Sequence, residues 1–222
     1  MEYNVTDIAK RMIDVLFDHS LDAGFWDGML SVPVDLGYLA YGYFDTDSYH
    51  ERSVGKERII RAISNGILQP RHIVRTVEII FEIFNQYVPE KIQTQTSSHI
   101  VGAISGRVIT NHLIFRNFSQ RLAIQGETFF SARGGRLGAV LLIGGMAERC
   151  LYKARELRDE NPEVYYALYP HYYDLLYFML EASLSPFVEA LNVYHHEGQP
   201  AFNQILRIIY DEIQRREQQQ VY

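Results

Sequence analysis

Along most of the chain, apolar side chains recur every three or four residues, the spacing that gives a helix one buried face. The clearest segments are residues 7–20, 70–88 and 200–220. Their apolar stripes are Ile8, Met12, Val15 and Leu16; Ile73, Val77, Ile80, Phe81 and Phe84; and Phe202, Ile205, Leu206, Ile209 and Ile213. No segment alternates apolar and polar residues convincingly, so the sequence predicts an all-α protein.

Turn-forming residues indicate where these helices begin and end. Thr6 is a predicted N-cap of the first helix, and Asn65–Gly66 is a predicted C-terminal stop. Pro70 suits the first turn of the helix that follows it. Glycines and aromatic residues mix upstream, which predicts a short helix over 34–42 and a polar loop over 45–55.

Residues 97–147 differ from the rest of the chain because they are apolar, rich in glycine and poor in charge. Each glycine costs a water-exposed helix roughly 1 kcal/mol relative to alanine, so glycines at helical spacing indicate close approach of another helix. The pattern predicts a helix pair in contact, as in small-xxx-small packing within lipid. The glycines assigned to these contacts are Gly102, Gly106, Gly134, Gly138, Gly144 and Gly145.

These segments together predict a compact multi-helix bundle in which amphipathic helices surround an apolar, glycine-rich central helix pair. A chain of 222 residues is long enough to bury a sizeable core. We expect a single helical domain over 1–222. Its parts are N-terminal amphipathic helices over 1–91, the glycine-rich centre over 92–147 and C-terminal helices over 148–222.

Composition and charge exclude several classes of partner and site. The formal net charge of −6 argues against nucleic acid as a partner, because phosphate binding requires a basic face. The single cysteine, Cys150, excludes an internal disulfide and a multi-cysteine metal site. The chain opens with acidic residues and no basic start before an apolar run, so we expect no signal peptide.

No motif in the sequence predicts catalysis, a metal site or a cofactor. The eight histidines include His195 and His196, but neighbouring helical residues point apart and no HExxH or His-x3-His spacing occurs. The glycine-rich residues 133–138 lack the GK[ST] ending of a phosphate-binding loop. The sequence also contains no GxSxG nucleophile elbow.

Three glycine motifs, GAISG at 102–106, GGRLG at 134–138 and LLIGG at 141–145, occur in a small acidic chain, with GFWDG at 24–28 as a further match. In these features the sequence resembles the small pore-forming effectors that bacteria inject through type VI secretion systems. The resemblance implies a toxin that is cytoplasmic in the producing cell and is exported by the secretion machinery without a signal peptide. It implies a cognate immunity protein as partner and ion-conducting pores in the inner membrane of a target cell.

In such a pore, Gly102, Gly106, Gly134 and Gly138 would become helix contacts, and an oligomer could form in the membrane. Arg107, Asn111 and His112 would line a water-filled lumen, because a charge facing lipid is too costly.

Two other functions remain open from the sequence. One is a soluble helical interaction module, such as an immunity or adaptor protein, in which the glycine-rich centre is a buried helix pair. The other is a hydrolase that uses Glu127 or a histidine; an apolar cleft with a paired carboxylate of shifted pKa would favour it. The aromatic residues between 25 and 44 could also meet lipid headgroups as an interfacial belt.

Overall fold

The computed structural model describes residues 4–17, 32–95, 101–105 and 145–219. These residues form eight α-helices, two short 3-10 helices and one pair of β-strands. The predicted all-α, multi-helix fold class is therefore confirmed for the part of the chain that is described. The helices are α1 (Val5–Phe17), α2 (Val32–Phe44), α3 (Tyr49–Ser64), α4 (Pro70–Tyr87), α5 (Gly145–Glu160), α6 (Pro162–Leu168), α7 (Tyr177–Glu197) and α8 (Gln199–Gln219), and the 3-10 helices are Tyr169–His171 and Tyr173–Leu175.

A two-stranded antiparallel sheet corrects the prediction for the start of the glycine-rich centre. Strand β1 (Lys91–Gln95) pairs with β2 (Val101–Ser105), so that Thr94 lies opposite Gly102. The prediction of a helix at these residues is wrong. Both strands contain β-branched residues, which favour extended backbone, and a glycine lowers the helix propensity of β2.

The packing divides the chain into two compact units. The described residues of the first unit are 4–17, 80–95, 101–105 and 184–219, and those of the second are 32–79 and 145–183. Helices α4 and α7 each contribute residues to both units. The limits of the units differ from the predicted internal boundaries at residues 91 and 147.

In the first unit, α1 packs along α8. Its core holds the fully buried rings of Phe84, Phe187 and Phe202; the Phe84 centroid lies 5.8 Å from that of Phe187 and 5.3 Å from that of Phe202. Arg11 on α1 forms a bidentate ion pair with Glu189 on α7. The predicted apolar stripe of the first helix is buried in this unit.

The second unit is organised around α5, which packs against α2, α3 and α6. Its buried side chains include Ile59 of α3, Leu157 of α5 and Leu168 of α6. The Sγ of Cys150 donates a hydrogen bond to the carbonyl oxygen of Leu175 at 3.2 Å, inside this core. Burial raises the pKa of the Cys150 thiol, so this cysteine is structural.

Two glycines of the second unit permit close helix packing. A Cβ on Gly55 of α3 would collide with the side chain of Leu151 on α5, and a Cβ on Gly42 of α2 would lie 2.7 Å from Arg52 Nη1. The polar loop predicted over residues 45–55 is largely helical instead, because α3 begins at Tyr49. Gly42 and Gly55 thus allow neighbouring helices to approach closely, but neither is among the glycines predicted to do so.

We expect Gly55→Ala to destabilise the protein by about 1–3 kcal/mol, because the buried Leu151 must move to admit the new methyl group. Urea denaturation followed by circular dichroism measures the change. Gly37→Ala in α2 is the matched control, because a Cβ there meets nothing within 4 Å. The control should stabilise by up to about 1 kcal/mol, the difference in helix propensity. Equal stability of the two variants would contradict the close approach.

The end of α3 follows the predicted turn chemistry, whereas the start of α1 does not. Gly66 has a φ of +74° directly after the C-cap of α3, as the Asn65–Gly66 stop predicts. Asn161 caps α6 with its side chain. At α1, however, the Asn4 side chain accepts the backbone N–H of Asp7 at 3.1 Å, so Asn4 and not the predicted Thr6 occupies the capping position.

Candidate functional site

Among the described residues, the three most exposed large aromatic side chains belong to the second unit. Tyr43 and Phe44, at the end of α2, are 81% and 78% exposed, and Tyr49, at the start of α3, is 72% exposed. We call these three residues the aromatic rim. The Tyr43 and Phe44 rings pack edge to face, with centroids 5.4 Å apart. Aromatic side chains exposed together in this way indicate a surface that binds protein or lipid.

A cleft of about 470 Å³ lies beside the aromatic rim. Its walls come from α2, α3 and the first turn of α5: Leu39, Gly42, Tyr43, Tyr49, Arg52, Ser53, Lys56 and Glu148. The missing side chain of Gly42 leaves room for the Arg52 and Glu148 side chains, since a Cβ there would lie within 3.0 Å of both. The cleft and the rim share Tyr43 and Tyr49, so we treat them as one site.

A buried ion pair forms the charged wall of this cleft. Arg52 Nη1 lies 3.2 Å from Glu148 Oε2, and both side chains are buried. Lys56 Nζ lies 2.7 Å from the other carboxylate oxygen, Oε1, while the lysine side chain is half exposed. Arg52 Nη2 also donates to the carbonyl oxygen of Asp45 at 2.7 Å. Within the described residues, the buried Nε of Arg52 has no hydrogen-bond partner.

The loop that joins α2 to α3 is held by its own hydrogen bonds. The hydroxyls of Ser48 and Tyr152 both donate to Asp45, the latter at 2.6 Å. The Ser48 hydroxyl, followed by the Tyr152 hydroxyl, holds the pKa of Asp45 below its usual value. Burial, together with the bond to Asp45, raises the pKa of Tyr152 to about 12. These contacts fix the loop between Phe44 and Tyr49.

A second buried ion pair joins Arg58 on α3 to Asp174 near the start of α7. Both carboxylate oxygens accept hydrogen bonds from the guanidinium at 2.8 Å. The guanidinium carbon of Arg58 lies 3.8 Å from the ring centroid of Tyr169. Burial raises the pKa of the Asp174 carboxyl and outweighs the opposing effect of Arg58. With no exposed surface and both oxygens occupied, this carboxylate has a structural role.

The surroundings of His72 on α4 predict that acid destabilises the second unit. Burial, with a smaller contribution from Arg71, lowers the pKa of His72 from its usual 6.5. The unfolded chain therefore takes up the proton first. The stability contributed by neutral His72 is complete above about pH 6.5 and is lost as the pH falls below it.

We expect the urea concentration at the unfolding midpoint of wild type to decrease when the pH is lowered from about 7.5 to about 5.5. The decrease should be smaller for His72→Gln. His72 Nδ1 lies 3.0 Å from the Tyr173 hydroxyl, a contact that glutamine can partly replace. His50→Gln, at an exposed position, is the control. If His50→Gln and His72→Gln gave the same pH dependence, His72 would not be the responsible group.

The structure describes only two of the residues assigned to the site from sequence. Gly102 lies in β2 with Thr94 as its cross-strand neighbour, so it is not the predicted helix contact. Gly145 is the first residue of α5. The remaining assigned residues lie outside the described residues: Gly106, Gly134, Gly138, Gly144, Arg107, Asn111 and His112, together with Glu127 of the hydrolase hypothesis.

Sequence reasoning missed the charged wall of the cleft. The aromatic residues of α2 were recognised as a candidate lipid-contacting belt, but Arg52, Lys56 and Glu148 were not connected to them. The spacing of Arg52 and Lys56, four residues apart on one helix face, was the available signal. Their meeting with Glu148 depends on how α3 packs against α5.

The described residues contain no group of three or more histidine, cysteine, aspartate or glutamate side chains arranged to hold a metal ion. None of the helices within them combines the length and apolar character needed to cross a lipid bilayer.

Comparison with known proteins identified no relative, since no protein family, curated protein or solved structure matches this chain.

Proposed function

We propose that this protein is an antibacterial effector that forms ion-conducting pores in the inner membrane of a target cell. The observation that supports this best is the aromatic rim, because exposed tyrosine and phenylalanine next to cationic side chains suit the headgroup region of a bilayer. In this proposal the rim makes the first contact with the membrane. The residues beyond β2, in a segment poor in charge, then supply the conducting part.

The proposal assigns Arg107, Asn111 and His112 to the pore lining, because polar side chains inside a bilayer are stable where they face water or protein. The proposed partners are a cognate immunity protein, the secretion machinery of the producing cell, lipids of the target inner membrane and further copies of the chain in the membrane. The protein would be cytoplasmic in the producing cell and act after transfer. No cofactor is part of this mechanism.

The deciding experiment is the current across a planar lipid bilayer after addition of purified protein, with sodium, potassium and chloride gradients. We expect discrete conductance steps whose reversal potential reports the ion selectivity. Heat-unfolded protein is the control for nonspecific leakage. No current from protein that circular dichroism shows to be folded would overturn the proposal.

A second candidate is an interaction module of the immunity or adaptor type. The aromatic rim favours it too, because tyrosine, phenylalanine and arginine are enriched at the centre of protein interfaces. For this candidate we expect no conductance and no vesicle binding. Substitutions in the rim would instead weaken the affinity for one specific protein.

A further inference from the structure

We infer that the cleft beside the aromatic rim binds the phosphodiester of an anionic phospholipid headgroup. The inference rests on the proposed membrane function and names the ligand of the same site. It combines the charge of the cleft, the exposure of its cationic groups and the position of the rim.

The charge of the cleft matches a phosphodiester. Arg52 and Lys56 contribute two positive charges and Glu148 one negative charge, so the wall carries one net positive charge in a chain whose overall charge is −6. A phospholipid phosphodiester carries one negative charge. The match is local, because nearby acids are directed to other partners. Asp45 accepts from Ser48 and Tyr152, Glu51 pairs with Arg155 and Arg158, and Glu57 pairs with Arg61.

Lys56 is the group best placed to reach the ligand. Its side chain is half exposed, whereas those of Arg52 and Glu148 are buried. An ammonium group has three donors, and the bond to Glu148 Oε1 occupies only one of them. The exposed Ser53, which also lines the cleft, offers a hydroxyl from the same helix. Arg52, held by Glu148 and the Asp45 carbonyl, adds a fixed positive charge behind these groups.

The rim places the cleft at the depth of a headgroup. If the exposed rings of Tyr43 and Tyr49 enter the interfacial region, the cleft that they line lies at the level of the lipid phosphates. The cleft volume of about 470 Å³ is within the range of small-ligand sites.

A neighbouring cleft of about 320 Å³ has more arginines but suits an anion less well. Arg155 and Arg158 both bind Glu51, at 3.1 and 2.8 Å, and Arg58 is held by Asp174. Each of these paired guanidinium side chains is at most 34% exposed, whereas the Lys56 side chain, which is also paired, is 51% exposed. The lysine-containing cleft is therefore the better candidate.

The test is flotation of full-length protein with vesicles of phosphatidylcholine alone and with vesicles that also contain phosphatidylglycerol. We expect wild type to prefer the anionic vesicles and Lys56→Gln to bind them about fivefold more weakly, the effect of one lysine near an anionic surface. Lys10→Gln removes the same charge from an exposed position in the first unit and should bind like wild type. Equal losses for Lys56→Gln and Lys10→Gln would overturn the inference, since net charge alone would then explain the effect.

Inorganic phosphate distinguishes a soluble ligand from a lipid. Calorimetric titration that showed Lys56-dependent binding of inorganic phosphate, in protein that does not float with anionic vesicles, would overturn the lipid assignment. Flotation and conductance separate the two proposals. If Lys56→Gln changes neither flotation nor conductance, the headgroup site is contradicted but the pore is not. If flotation depends on Lys56 and wild type gives no current, the pore is contradicted but the headgroup site is not.

Discussion

Replacing Asp174 with alanine is expected to lower the free energy of unfolding by about 3–5 kcal/mol, the usual cost of leaving one charge of a buried pair without its partner. The Asp174 side chain has no exposed surface, and that of Arg58 is only 16% exposed. The variant would leave the guanidinium stacked on Tyr169 with no carboxylate to neutralise it. Urea denaturation at neutral pH measures the loss.

Two further variants separate the ion pair from a general loss of packing. Replacing Arg58 and Asp174 together by leucine should recover part of the stability, because no unpaired charge then remains. Glu57→Ala breaks an exposed pair with Arg61 on the same helix and should cost less than about 1 kcal/mol. A loss after Asp174→Ala no larger than that of Glu57→Ala would show that Arg58 finds compensation elsewhere.

The double variant Tyr43→Ser/Phe44→Ser is expected to weaken vesicle binding at least tenfold and to reduce the frequency of conductance steps in parallel. Each ring can bury about 150–250 Å² against the membrane, and apolar area contributes about 25 cal/mol per Å². Even partial insertion of the two rings therefore contributes more than the roughly 1.4 kcal/mol of binding free energy that corresponds to a tenfold change in affinity. Because both side chains are largely exposed in the unbound protein, the melting temperature should change little.

Tyr166→Ser, compared with Tyr43→Ser, tests whether position matters as well as ring loss. Tyr166 on α6 is 63% exposed but does not line the cleft. We expect Tyr166→Ser to bind vesicles like wild type. If both single variants lost the same affinity, the aromatic rim would have no special role, and if neither did, the membrane proposal would lose its main support.

The sequence predicted the regular helices well, because a burial stripe of period 3.6 is a local property. Residues such as Ile73, Val77 and Phe84 identify the buried face of α4 without knowledge of its neighbours. The strands were missed because neither Lys91–Gln95 (KIQTQ) nor Val101–Ser105 (VGAIS) alternates clearly between apolar and polar side chains. The close contact of Gly55 with Leu151 could not be predicted, because the two residues are distant in sequence.

The site was only partly predictable for the same reason. The aromatic residues of α2 lie close together in the sequence and form a local pattern, whereas Arg52 and Glu148 are separated by 96 residues. Which acid neutralises which base depends on helix packing, and no local pattern encodes it. The pore-lining assignments stay predictions.

The order of synthesis limits when the first unit can complete its fold. Arg11 and its partner Glu189 are 178 residues apart, and α1 packs along α8, which follows Glu189. At roughly 5–20 residues per second, a ribosome needs on the order of 10–35 s to travel that distance. During this interval the apolar face of α1 has no native partner from α8. If the protein is the proposed effector, its first unit would stay incompletely folded until α8 has been synthesised, which would leave the producing cell time to supply an immunity protein or chaperone.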